Sequence, residues 1–113
     1  MDFPDEWKLV EEWYKHCSGG NTRSRLTYTA MEQILPALIH HIDTDRLKPF
    51  TRMYSLAFQI RDTEYVVNVD AEVQDFKTYC VALYHERSSR PLQQYEHLSA
   101  DEVLPTINAL AAL

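Results

Sequence analysis

The chain opens on a helical period. Phe3, Trp7, Val10, Tyr14 and Cys17 recur at intervals of three and four, Leu9 and Trp13 widen the stripe, and Asp5, Glu6, Glu11, Glu12 and Lys15 fall elsewhere. This predicts an amphipathic helix over about residues 3–17, with Asp2 as cap, Pro4 in the first turn and Ser18-Gly19-Gly20-Asn21 as its stop. A loop through Arg23 and Arg25 follows. Thr29 and Glu32 stand at capping-box spacing, and Met31, Ile34, Leu35, Leu38, Ile39 and Ile42 keep helical period, so a second helix is expected over about 30–43. Pro36 lies too deep for the first turn of that helix and should kink it or confine its regular part to one side. Asp43 to Pro49 reads as a polar connector.

From Thr51 the period drops to two. Tyr54, Leu56, Phe58 and Ile60 alternate with Ser55, Ala57 and Gln59, Asp62-Thr63 interrupts, and Tyr65, Val67 and Val69 alternate with Val66, Asn68 and Asp70. This is a hairpin with one face on a core. Phe76 to His85, rich in Tyr, Val and Thr, supplies a third strand, and Leu92 to Leu98 is an edge strand or an extended link. Ser99 and Glu102 repeat the capping box ahead of Val103, Leu104, Ile107, Leu110 and Leu113, a closing helix of about 100–112. Short connections then favour an α+β two-layer domain: an antiparallel meander sheet of three or four strands, with two N-terminal helices and one C-terminal helix packed on one face.

Composition narrows the class. The 113 residues, 45% of them hydrophobic, make a single α+β domain with enough chain to bury a core. A formal net charge of −6 opposes a phosphate-tracking surface, so nucleic acid is not expected as a partner. No apolar run reaches the ~18–20 residues that span a bilayer, and the first residues are acidic where a signal peptide is basic. Neither a membrane nor secretion is expected, and the location read from the sequence is cytoplasmic. Cys17 and Cys80 form no disulfide framework and are expected as reduced thiols.

One local pattern carries chemistry. His16-Cys17, five residues, then Arg23-Ser24 resembles the phosphate loop of the protein tyrosine phosphatases, over nine of 113 residues. The resemblance implies that Cys17 attacks phosphorus, Arg23 and the loop amides hold the phosphoryl oxygens, Ser24 helps the thiolate leave, and His16 tunes the thiol. The family places that Cys at the end of a buried parallel strand, whereas Glu11 to Lys15 has helical period. A cysteine-dependent phosphatase or phosphate-binding protein is therefore an alternative reading. His40, His41, His85 and His97 raise a metal reading. Adjacent helical residues point about 100° apart, however, and no His-x-x-x-His or Cys-x-x-Cys spacing exists. No metal site, nucleotide loop or nucleophile elbow is expected, hence no cofactor and no enzymatic activity.

Surface chemistry points to protein binding. Asp62, Glu64, Asp70, Glu72 and Asp75 make a local acidic stretch whose only neighbouring base is Arg61 at its start, suited to a basic partner surface. Tyr84, Arg87 and Arg90, with Tyr79, His85 and Tyr95 nearby, have the residue types of interface hot spots. Alternation puts Tyr79 and Tyr84 on opposite faces of the sheet, so one of them is core and the other is available to a partner. The leading expectation is a non-catalytic module that masks or escorts a partner protein, using this acidic hairpin and the aromatic and Arg surface. It looks like the broad class of inhibitors, immunity proteins and secretion chaperones. A structural homodimer subunit, joined through the sheet face or an edge strand, is the other alternative.

Overall fold

The computed structural model describes residues 7–52, 55–72 and 74–112. Within them run α1 (Lys8–Ser18), α2 (Thr22–Glu32), α3 (Leu35–His41), β1 (Leu47–Arg52), β2 (Ser55–Ile60), β3 (Tyr65–Ala71), β4 (Tyr79–His85), β5 (Gln93–Leu98) and α4 (Ala100–Ala111). The expected placements of Asp2, Phe3, Pro4, Tyr54 and Leu113 lie outside the described residues. None of the described helices is long and apolar enough to cross a membrane.

The first helix buries the stripe that its spacing predicts: Trp7, just ahead of α1, and Val10 and Tyr14 within it are almost wholly inaccessible, and the Trp7 ring meets Phe58 edge-on at 5.7 Å. Leu9 does not belong to that stripe, being 76% exposed on the opposite side of the helix. The loop expected through Arg23 and Arg25 is instead α2. It forms directly after the Gly19-Gly20 break because Thr27, Ala30 and Met31 find burial against α1 and the sheet, and tertiary burial outweighs a sequence with weak helical pattern. The capping box expected at Thr29 is therefore absent: Thr29 lies inside α2, where its hydroxyl donates to the Arg25 carbonyl at 3.0 Å. Three-residue hydrogen bonds from the Gln33 and Ile34 amides end α2. Pro36 then falls in the first turn of α3, where its missing N–H costs nothing, so the single helix expected over 30–43 is two.

The sheet has five strands, not three or four, in the antiparallel order β1-β2-β3-β4-β5. The extra strand is β1, which lies partly inside the expected connector. It pairs with β2 from Leu47 opposite Ile60 to Arg52 opposite Ser55. Pro49 is tolerated there because β1 is an edge strand with one side free of the ladder. β4 begins at Tyr79 and not at Phe76, because Phe76 has a φ of 55° and turns the chain. β5 is the opposite edge strand.

Register decides which face is core. Leu56 faces Val69, Phe58 faces Val67, and Val69 and Val67 face Val81 and Leu83. These side chains, with Leu47 and Tyr79, form one cluster with Trp7, Val10, Tyr14, Met31, Leu38, Val103, Ile107 and Leu110 from the four helices and the turn before them. All the described helices therefore pack on one face. Tyr79 ties the layers together, its phenol donating to the Ala30 carbonyl of α2 at 2.6 Å in a buried setting. α4 begins with a true capping box, in which the Ser99 amide donates to the Glu102 carboxylate at 3.0 Å. In denaturant unfolding, Tyr79→Phe is expected to cost about 1 kcal/mol, and Phe58→Ala about 3–5 kcal/mol through the cavity it leaves.

Candidate functional site

The opposite face of the sheet carries no described helix. Pleating assigns to it Lys48, Phe50 and Arg52 from β1, Ser55, Ala57 and Gln59 from β2, Val66, Asn68 and Asp70 from β3, Cys80, Ala82 and Tyr84 from β4, and Gln94 and Glu96 from β5. Its middle row runs Phe50, Ala57, Asn68, Ala82, Gln94. Ala57, Val66 and Ala82 are buried even without a helix above them, because each is small and lies between longer cross-strand neighbours such as Phe50, Gln59 and Tyr84. Phe50 and Tyr84 are only partly buried. The Asn68 side-chain oxygen, Oδ1, is inaccessible and has no hydrogen-bond partner.

One corner of this face is electrostatically organised. Ser55 donates its hydroxyl to the Asp70 carboxylate, and Arg52 is near enough to favour the carboxylate's charged form. Burial nevertheless dominates and pushes the Asp70 carboxyl above the usual carboxylate range. The Cys80 thiol beside it is likewise pushed up, first by burial and then by the negative field of Asp70, Glu96 and Glu72, against a Gln94 amide contact at 3.3 Å. Such a thiol is a poor nucleophile at neutral pH. Burial also raises the Tyr84 phenol, with Asp70 adding to the effect.

The residues expected to form one acidic surface are divided by the length of β3. Asp62, at a φ of 64°, and Glu64 lie in the β2–β3 turn, whereas Glu72 and Asp75 lie in the β3–β4 turn at the other end of the sheet. Most of them have structural partners. Glu64 accepts from His85 Nε2 at 2.9 Å, and the same ring's Nδ1 accepts from the Arg87 amide, which fixes the tautomer. Glu72 accepts from the Thr78 hydroxyl at 2.5 Å and from the His97 amide and Nδ1 at 3.1 and 3.0 Å. Asp75 closes its own turn on the Lys77 amide at 2.9 Å, which lowers its carboxyl below the usual value. Asp70 joins Glu72 and Glu96 around Cys80. Arg87 and Arg90 extend from the exposed β4–β5 loop, at the Asp62 end. Lys48, Phe50 and Arg52 escape a reading that treats β1 as connector, and Gln94 and Glu96 one that leaves the face of Leu92 to Leu98 unassigned. Their signal is the two-residue alternation of Lys48, Phe50 and Arg52 against Leu47, Pro49 and Thr51.

The phosphatase resemblance meets a different backbone. Cys17 lies in the last turn of α1, not at the end of a strand, and the sheet is antiparallel throughout, although Arg23 does fall in the first turn of α2. The side chains of Cys17, Arg23 and Ser24 lie outside the described residues. His85 and His97 sit at opposite ends of the sheet, and among the described residues no three His, Cys, Asp or Glu side chains gather to hold a metal ion. A groove of about 420 Å³ runs between α1, α2 and α3, lined by Glu11, Lys15, Tyr28, Glu32, Leu35 and Ile39, with Glu11 and Lys15 paired at 2.6 Å. Comparison of the chain with family models, with curated proteins and with solved structures finds no match.

The raised Asp70 carboxyl has a measurable sign. Between its ordinary and its raised value the folded protein binds more protons than the unfolded chain, so stability falls as pH rises through that window. Asp70→Asn keeps the acceptor for Ser55 and removes the buried charge. It is expected to melt above the unaltered protein at pH 7, with the gap closing as pH falls below the ordinary carboxylate range, followed by thermal unfolding across pH.

Proposed function

We propose that the protein is a non-catalytic protein-binding module that acts by covering a basic surface of a partner protein with the helix-free face of its sheet. One observation carries the reading: every described helix packs on the other face, leaving partly accessible Phe50 and Tyr84 beside the acidic corner of Asp70, Glu72 and Glu96. Aromatic anchors supply contact area at low entropic cost, and the acidic corner, within a chain of net charge −6, steers a basic partner to it. Arg87 and Arg90 flank the far end of the face and add contacts at its rim. Masking, inhibition and chaperone-like escort all use such a surface, and a cytoplasmic setting keeps Cys80 a free thiol. The elevated Cys80 thiol supports a binding role over nucleophilic chemistry on this face.

Glu96 tests the charge better than Glu72, which is built into the β3–β4 turn. A partner captured from host lysate by the unaltered protein is expected to lose roughly tenfold or more in affinity with Tyr84→Ala. With Glu96→Lys, association slows at low salt. Leu9→Ala, on the helical side, binds as the unaltered protein does. Equal retention by all three variants, or no retained partner at all, overturns the reading.

A further inference from the structure

The two edges of the sheet are not equivalent. β1 carries Pro49, which has no N–H to offer a further strand, whereas β5 contains no proline and its first five residues are exposed. Two of the large apolar side chains left in solvent lie on or beside it, Leu92 at 57% and Tyr95 at 47% exposure. α4 returns over the helical side of the sheet, and among the described residues no strand pairs with the outer edge of β5.

We propose that β5 is a self-pairing edge, to which a second copy of this chain adds its own β5 antiparallel, centred on Tyr95. The register follows from the side chains. Centred there, Tyr95 meets its counterpart and Gln94 faces Glu96 of the other copy. Amide meets carboxylate and ring meets ring, with no like charges opposed. Moving the centre to Glu96 sets Glu96 against Glu96, and moving it to Gln94 leaves each Tyr95 facing Gln93, so of these three centres Tyr95 alone pairs ring with ring and opposes no like charges. Because Tyr95 lies opposite Val81 of the core-facing row, the two rings meet on the helical side, and the two-fold axis stands perpendicular to a sheet of doubled width. The ladder is short. The irregularity opposite Tyr79 to Val81, with His97 at a φ of 58° and its amide held by Glu72, ends regular pairing.

This assembly leaves the helix-free face open and does not depend on the docking proposed for it. It contains no ion pair between the copies, so salt does not dissociate it, unlike charge-steered docking. Sedimentation of the unaltered protein from micromolar to hundred-micromolar concentration is expected to show reversible dimer. Tyr95→Lys, with its fold confirmed by circular dichroism, weakens the dimer at least tenfold by opposing like charges across the axis. In a background with Cys17→Ser and Cys80→Ser, Tyr95→Cys forms an intermolecular disulfide under mild oxidation, while Gln93→Cys, far from its own copy in this register, does not. Monomer throughout, a dimer indifferent to Tyr95→Lys, or equal cross-linking at Gln93→Cys overturns the proposal.

Discussion

The cross-strand packing of Leu56, Phe58, Val67, Val69 and Val81 on one side of the sheet is the contact on which the rest of the structure depends. It offers the helices a single apolar floor: α1 uses it through Val10 and Tyr14, α2 through Ala30 and Met31 and α4 through Val103, Ile107 and Leu110, while α3 joins the same core through Leu38 against α2 and α4. Because side chains alternate along a strand, committing one row to the core commits the next to the other face. The helix-free face is thus a consequence of the core and not a separate feature.

That second face is neither a solvated polar surface nor a second core. Small apolar residues sit low at its centre beside partly buried Phe50 and Tyr84, and charge surrounds them, with Lys48 and Arg52 on β1 and Asp70, Glu72 and Glu96 from β3 to β5. Burial raises the Asp70 carboxyl and the Cys80 thiol there without any helix overhead, so the face already excludes part of its water. A partner arriving on it has less solvent to displace than at an ordinary exposed sheet.

How far the sequence shows this depends on how loudly each segment is patterned. The α1 stripe, the β2 and β3 alternation, the edge strand β5 and α4 are legible because their apolar residues repeat with one period and their ends carry caps or turns. α2 is not, since Thr22 to Glu32 is mostly polar and Thr, and becomes helical through packing of Thr27, Ala30 and Met31. β1 is hidden by Pro49, which only edge placement excuses. Thr29 and Ser99 share the same capping spacing, yet only Ser99 caps, because α2 had already begun upstream. The acidic stretch is contiguous in sequence but divided in space by β3, so proximity along the chain misleads about the surface. Lys48, Phe50 and Arg52 belong to the candidate site only once β1 is seen as a strand.

The central claim is that the face without helices is where a partner sits, and Cys80 reports on it directly. It lies on that face within the acidic corner, half-buried and unpaired with any other cysteine. The measurement is its alkylation rate at mildly alkaline pH, read on the Cys80 peptide by mass spectrometry, in the protein alone and in complex with its captured partner. The account predicts that the partner slows labelling of Cys80 by at least roughly tenfold while the melting temperature does not fall. Unchanged labelling in a saturated complex would place the partner elsewhere and contradict the account.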